Sequence, residues 1–209
     1  EAAIDKHKHW GSVVEAYDPV MKKSEWCRDQ IKTVNTNPED IKYVIQTHLH
    51  LDHSGAIGHF PNATHITQRL EYDYAFNPDW FSQPAYIRDD FDKPNIRWKF
   101  LQGRKTDFYD VHGDGVIKII FTPGHTPGHQ SVLVNLPKTG HMLFTGDACY
   151  TEDHWCDKCL PGLVASSSDA AESVSKLRKV AKEHEATVVW GHDPISWKIW
   201  KKAPMFYYD

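Results

Sequence analysis

The sequence predicts a layered α/β protein with mixed sheets. Three observations lead to this class. Short β-branched runs recur along the chain, turn signals rich in glycine and proline separate them, and one amphipathic helical stretch stands before the last run. The chain has 209 residues, of which 40% are hydrophobic and 12% aromatic. This is enough for one substantial core, so we expect a single domain over residues 1–209.

The elements follow from local patterns. The first forty residues read as an amphipathic region that ends at a turn signal, Asn35 to Pro38. We expect strands at 41–45, 63–67, 116–122, 131–136, 141–145 and 186–190. The aromatic stretch 71–100 is broken by Asn-Pro, Gln-Pro and Lys-Pro steps, which favour loops and short helices. A helix is predicted over 169–185, with Asp169 and Glu172 as a capping box and an apolar face of Val174, Leu177, Val180 and Ala181.

Composition excludes several classes of protein. There are 24 basic and 28 acidic residues, so no large electropositive surface is available for nucleic acid or for an anionic membrane. No apolar run approaches the ~18 residues that a membrane span needs. Four cysteines are too few and too uneven for a disulfide framework, and residues 1–10 lack a signal peptide, so we expect a cytoplasmic protein. Cys156 and Cys159 form a lone CxxC, which is a weak metal signal.

Histidine is frequent, with 14 residues, and imidazole is the commonest protein ligand of transition metals. The decisive pattern is His48-x-His50-x-Asp52-His53, directly after the strand predicted at 41–45. Alternation in an extended segment would place His48, His50 and Asp52 on one side, and the following turn would bring His53 toward the same space. This ligand set suits zinc, iron, cobalt or manganese. Four potential ligands exceed the needs of one catalytic metal, which indicates two metal ions.

Three further candidate ligands also follow predicted strands, and each stands beside a glycine: His125, Asp147 and His192. We expect loops at the carboxyl ends of strands to carry them. His129 lies in the same segment as His125, and we expect it to be structural rather than a ligand.

These residues, in this order, resemble the ligands of the metallo-β-lactamase superfamily, and most closely its N-acyl-homoserine lactonase branch. The resemblance also rests on TPGHTPGHQS at 122–131, on Tyr150 three residues after Asp147, and on GHDP at 191–194. It runs from about residue 13 to 206. It implies an αββα sandwich with the metals at the edge between the sheets. It also implies that the chain starts inside the fold and lacks the family's first strands.

The resemblance further implies a role for each residue. One divalent ion would be held by His48, His50 and His125, the other by Asp52, His53 and His192, with Asp147 bridging them and a water or hydroxide shared between the ions. Zinc is the default, and iron, cobalt or manganese also fit. We expect Tyr150 to donate a hydrogen bond to the tetrahedral oxyanion and Asp52 to deliver a proton to the leaving alkoxide.

The expected function is the opening of the lactone ring of N-acyl-homoserine lactones, a quorum-quenching hydrolysis. Alternative substrates are a small lactone such as γ-butyrolactone, or a thioester as in glyoxalase II, which uses the same seven ligands. Against the thioesterase stand Tyr150 and the lack of a basic C-terminal clamp. A non-catalytic metal-binding or ligand-sequestering protein is the alternative outside enzymes.

The aromatic stretch 71–100 is either a core layer or a lid in which Trp80 and Phe81 meet an acyl tail. Family resemblance also suggests a homodimer, with apolar contacts at Trp10, Trp197, Trp200 and 206–208.

Overall fold

The computed structural model describes residues 5–159 and 161–209. The chain folds into two compact units. The N-terminal unit runs to Thr67 and resumes at Asp73–Phe100; the C-terminal unit contains Gln68–Tyr72 and Leu101–Asp209. That the whole chain acts as one domain stays a prediction.

A three-stranded sheet begins in the N-terminal unit, with the order β1-β2-β3. Its strands are Tyr43–Ile45, Thr64–Gln68 and Arg97–Leu101. The first two confirm the strands predicted at 41–45 and 63–67, and they pair in parallel, with Tyr43 opposite Thr64. The third was not predicted, because proline steps led us to expect only loops and short helices across 71–100. Its alternating side chains follow a strand period, and the rings of Trp98 and Phe100 stack with centroids 6.0 Å apart.

Helices in the first hundred residues are short, as the proline and turn signals predict. They are α1 to α5, at Lys6–Trp10, Cys27–Gln30, Leu51–Ser54, Arg69–Phe76 and Arg88–Phe91. Single 3₁₀ turns lie at Gly11–Glu15, Lys23–Glu25, Ile31–Val34, Pro38–Asp40 and Gln83–Ala85. The loop after β1 is therefore followed at once by α3, a single helical turn.

The C-terminal unit contains a five-stranded mixed sheet in sequential order, β4-β5-β6-β7-β8. Its strands are Phe108–Asp110, Ile117–Phe121, Gln130–Leu136, Gly140–Phe144 and Thr187–Val189. Neighbours are antiparallel except β7 and β8, which are parallel because α7 crosses between them. The four strands predicted here are confirmed. Strand β4 was missed, because it contains no β-branched residue.

One long helix covers this sheet. It is α7, Ser167–Glu183, and it lies between the short helices α6, Glu152–Trp155, and α8, Pro194–Ile199; 3₁₀ turns occur at Gly103–Thr106 and Gly146–Ala148. The predicted apolar face is confirmed. The core of the unit consists of Ile120, Leu133, Leu143, Ala148, Leu177 and Val180. Burial of a Leu or Val side chain contributes roughly 1.5–3 kcal/mol, so this face fixes the helix on the sheet.

The predicted capping box of α7 is wrong. The helix begins two residues earlier, and the hydroxyl of Ser166 accepts the backbone N–H of Asp169 at 3.3 Å. Serine at this position satisfies an otherwise orphaned donor. The Asp169 carboxylate, one turn inside the helix, forms an ion pair with Arg104 at 3.2 Å.

Within the described part of the chain, no helix has the length and apolar character needed to cross a membrane.

Candidate metal centre

Three histidines converge in the segment that follows β1, two in the loop and one in α3. His48 and His50 are buried, and their ring centroids are 4.6 Å apart in an edge-to-face arrangement. The ring of His53 is 4.2 Å from that of His48. Candidate ligand nitrogens of His48 lie within 4.8 Å of those of the other two rings. Neutral imidazoles gathered so closely are the donor set of a transition-metal site.

The expected position of Asp52 needs a correction. Alternation in an extended segment does not reach this residue, because the chain turns into α3 at Leu51. His50 is extended and forms the N-cap, and its carbonyl accepts the N–H groups of His53 and Ser54 at 3.0 and 2.9 Å. In this helical turn the Asp52 side chain lies beside that of His53, with 3.4 Å between Oδ2 of Asp52 and Nε2 of His53. The Asp52 side chain is 44% exposed, so it can exchange protons with solvent.

In the C-terminal unit, Asp147 lies between two histidines. It is buried in the 3₁₀ turn that follows β7. Its Oδ2 is 3.4 Å from Nε2 of His125, and its Oδ1 is 3.3 Å from Nε2 of His192. Those histidines follow β5 and β8, so three strand ends contribute one ligand candidate each, as predicted. Each carboxylate oxygen faces a different imidazole, which is the arrangement required of a carboxylate shared by two cations.

The hydrogen bonds of His125 determine which of its nitrogens can bind metal. Nδ1 is 3.0 Å from the backbone carbonyl of Leu163. A carbonyl only accepts, so Nδ1 carries the proton, and Nε2 keeps its lone pair on the side of Asp147. Metal-binding histidines almost always have such a partner on the second nitrogen. Sequence reasoning missed Leu163, because a main-chain carbonyl has no side-chain signature.

Tyr150 packs against both histidines that face Asp147. Its hydroxyl oxygen is 3.2 Å from His125 Nδ1, and its ring centroid is 5.2 Å from that of His192. The backbone N–H of Tyr150 donates to Nδ1 of His154 at 3.3 Å. Burial lowers the pKa of His154, which keeps this nitrogen an acceptor.

Two glycines allow the ligand loops to approach their neighbours. A Cβ at Gly124 would lie 2.3 Å from the backbone nitrogen of Ala170, in α7. A Cβ at Gly191 would lie 2.5 Å from the carbonyl oxygen of Gly146 and 3.2 Å from Oδ1 of Asp147. Real side chains do not tolerate such distances. The residue before His125 and the residue before His192 must therefore be glycine.

The remaining candidates divide as follows. The expectation that His129 is structural agrees with the structure, because its Nε2 accepts the backbone N–H of Asp147 at 3.0 Å. Cys156 and Cys159 are exposed free thiols, and among the described residues neither belongs to a group of three potential metal ligands. Sequence reasoning also missed Tyr86, whose buried ring is 4.7 Å from that of His50. No motif or spacing connects those two residues.

The aromatic stretch 71–100 contains both buried and exposed rings. Phe91 and Tyr86 are buried, as in a core layer. Trp80 and Phe81 are 84% and 43% exposed, and their rings meet edge to face at 5.9 Å. That the exposed pair belongs to a lid over an acyl tail stays a prediction.

Comparison with known proteins identifies the family. The profile of the metallo-beta-lactamase superfamily matches residues 17–192. N-acyl homoserine lactonase AttM of Rhizobium radiobacter is 58% identical over 207 residues, which are 99% of this chain and 79% of that protein. N-acyl homoserine lactonase AiiA of Bacillus thuringiensis subsp. kurstaki is 31% identical over 175 residues, or 84% of this chain and 65% of that protein.

Comparison with solved structures leads to the same family. A mutant of B. thuringiensis AiiA with N-decanoyl-L-homoserine bound at its active site matches with a TM-score of 0.78 and 31% identity, covering 89% of this chain and 69% of that one. The same figures hold for an N-acyl homoserine lactone hydrolase with its product N-hexanoyl-L-homoserine at the catalytic metal center. These matches confirm the predicted metallo-β-lactamase fold, and the donors described above suit a divalent metal. The chain belongs to the metallo-beta-lactamase superfamily.

Proposed function

We propose that the protein is a metal-dependent lactonase that hydrolyses the ring of N-acyl homoserine lactones. The observation that carries this proposal is the 58% identity to AttM across 99% of the chain. The local chemistry supports it, since Asp147 has one carboxylate oxygen toward each of two histidines and Tyr150 packs beside them.

The proposed centre is dinuclear. By the family's ligand order, one ion would take His48, His50 and His125, and the other Asp52, His53 and His192, with Asp147 bridging. All of these donors are imidazoles or carboxylates and none is a thiolate, which favours zinc and also admits iron, cobalt or manganese. When bound, two divalent ions would provide hydroxide near neutral pH and polarise the ester carbonyl.

The chain's own side chains complete the reaction. The Tyr150 hydroxyl would donate a hydrogen bond to the oxyanion that forms as the carbonyl carbon becomes tetrahedral. Asp52, partly exposed on α3, would transfer a proton to the alkoxide as the ring C–O bond breaks. The product is a ring-opened hydroxy acid.

The exposed pair Trp80 and Phe81 is the proposed contact for the acyl tail. Two rings packed edge to face present an apolar surface to solvent, and such a surface gains free energy by covering an alkyl chain. The lactone head group would lie at the ligands, because that is where the ester must react.

A pH-indicator assay tests the proposal, because opening a lactone releases a proton near neutral pH. Short- and long-chain N-acyl homoserine lactones, γ-butyrolactone and a glutathione thioester are compared with and without a chelator. Fast, chelator-sensitive turnover of the acyl homoserine lactones is expected. Turnover confined to γ-butyrolactone or the thioester would contradict the proposed substrate while retaining the metal chemistry.

Two further properties are proposed. The described cysteines are all free thiols, which supports a reducing, cytoplasmic compartment. The exposed side chains of Trp197, Phe206 and Tyr207 are a candidate contact between two copies of the chain. Light scattering after size exclusion gives the mass directly, and a monomer across the micromolar range would contradict a dimer.

A further inference from the structure

A buried chain of hydrogen bonds begins at the main chain of Asp147 and contains none of the proposed ligand atoms. The backbone N–H of Asp147 meets Nε2 of His129 at 3.0 Å. Nδ1 of His129 is 2.9 Å from the hydroxyl of Thr122, which is 2.9 Å from the hydroxyl of Ser131. Ser131 donates to the carbonyl of Thr145 at 2.8 Å. We name these four side-chain and main-chain contacts the His129 network.

Every proton in the His129 network has one allowed position. The Thr145 carbonyl only accepts, so the single hydroxyl proton of Ser131 points to it. The Thr122 hydroxyl must then donate to Ser131, and it accepts from Nδ1–H of His129. Nε2 of His129 therefore carries the lone pair, which is what the amide N–H of Asp147 requires. Both ends of the network impose the same neutral tautomer.

Burial makes the network costly to break. Thr122, His129, Ser131 and Thr145 have no exposed surface, and Asp147 is 3% exposed. Water cannot take the place of a lost partner there. A buried donor left without an acceptor is destabilising, and the main chain would move to avoid that loss.

The two ends of the network lie on either side of Gly146. The network binds the main chain at residues 145 and 147, and Gly146 between them has a φ of 54°. The network attaches residues 145 and 147 to the segment that carries His125. In that segment the backbone N–H of Gly124 donates to the carbonyl of Thr126, and the backbone N–H of Thr122 donates to the carbonyl of His129. The direction of the Asp147 carboxylate relative to His125 therefore depends on His129.

We propose that His129 is a positioning residue whose neutral imidazole holds the Asp147 main chain, so that its carboxylate is directed to His125 and His192. This inference rests on the proposed role of Asp147 as a metal ligand. His129 itself would contact neither metal nor substrate.

The test compares His129→Leu, which keeps apolar bulk but has no acceptor, with His129→Gln, whose amide oxygen can accept the Asp147 N–H. Zinc affinity is measured by competition with a chromophoric chelator, and the cobalt-substituted protein supplies an absorption spectrum of the ligand field. We expect His129→Leu to bind metal roughly 10- to 100-fold more weakly, with an altered cobalt spectrum. His129→Gln should recover most of the affinity and the spectrum.

Native zinc affinity and spectrum in His129→Leu would overturn the inference, as would equal losses in the two variants when both fold. If His129→Leu fails to fold, Thr122→Val replaces it. This near-isosteric change removes the hydroxyl that accepts from Nδ1–H of His129 and donates to Ser131; it must weaken zinc binding in the same direction. No lactone enters these measurements. A wild-type protein that binds zinc but hydrolyses no lactone would contradict the proposed function alone, and one that binds no zinc would overturn both.

Discussion

The two units supply ligand candidates in opposite ways. The N-terminal unit has four of them within six residues, brought together by one loop and one helical turn. In the C-terminal unit, His125, Asp147 and His192 follow three different strands and meet only because the sheet and its loops bring them together. The first arrangement depends on local geometry. The second depends on close main-chain approaches and buried hydrogen bonds, and it is therefore the more sensitive to substitution away from the ligands.

Glycine substitutions test this difference and should have the largest effect. In Gly191→Ala, the new methyl group would meet the Gly146 carbonyl at 2.5 Å, so the loop before His192 must move. Overpacking of this kind costs roughly 1–3 kcal/mol, and we expect loss of bound metal and, with it, of nearly all lactone hydrolysis. Metal content by mass spectrometry and initial rates are the measurements.

Gly55→Ala is the matched control in the other unit. Gly55 follows the His48–His53 motif in right-handed helical conformation, with nothing within 4 Å of an added Cβ. Alanine there should leave metal content and rate unchanged, with a gain in stability of about 0.4–1 kcal/mol. Equal damage from the two substitutions would refute the contrast between the units.

Substitution of the two proposed catalytic groups, one in each unit, should have the next largest effect. Tyr150→Phe removes the hydroxyl donor but keeps the ring against His192, so kcat should fall roughly 100- to 1,000-fold with metal content intact.

Asp52→Asn keeps the shape of the side chain but cannot deliver a proton, and its kcat should fall roughly 100-fold, provided that metal analysis finds both ions. Unchanged turnover on every lactone would remove the residue concerned from the mechanism.

Sequence patterns predicted the features that depend on residue type and short spacing. His125, Asp147 and His192 follow strands as expected, and α7 buries the predicted face. Strands β3 and β4 were missed, since proline steps obscured the first and the second contains no β-branched residue. The helical placement of Asp52 could not be predicted from alternation. The Leu163 carbonyl and the Tyr86 ring depend on tertiary packing, which leaves no mark on spacing.

Acid should weaken the protein through a histidine of the N-terminal unit. His65, in β2, is buried, and neither ring nitrogen has a hydrogen-bond partner among the described residues. Burial lowers its pKa to about 4 from 6.5. The unfolded chain therefore binds the extra proton between pH 6.5 and 4, and the free energy of unfolding falls as pH decreases through that window, by roughly 3 kcal/mol at most.

Urea unfolding of wild type and His65→Phe at pH 7.5 and 4.5 measures this contribution. The variant keeps an aromatic ring beside Trp98, whose ring is 5.5 Å from His65. Its stability should depend less on pH than that of the wild type. Identical pH dependence would mean that His65 is not the group responsible.

The smallest effect is expected at the exposed aromatic pair. Trp80→Ala removes apolar surface proposed to contact the acyl tail, so the kcat/KM ratio of long-chain over short-chain lactones should fall several-fold, at about 0.8 kcal/mol per methylene left uncovered. Tyr17→Ala, at another exposed aromatic residue of the same unit, is the control and should leave the ratio unchanged. An unchanged ratio in Trp80→Ala would exclude this contact.

Metal titration of the stripped protein tests the central claim most directly. Chelator-treated protein is returned to neutral pH, zinc is added in fractions of an equivalent, and lactone hydrolysis is followed at each addition. The proposed dinuclear centre predicts no activity without metal and a plateau at two ions per chain. Full activity in metal-free protein, or a plateau at a single ion, would contradict the account.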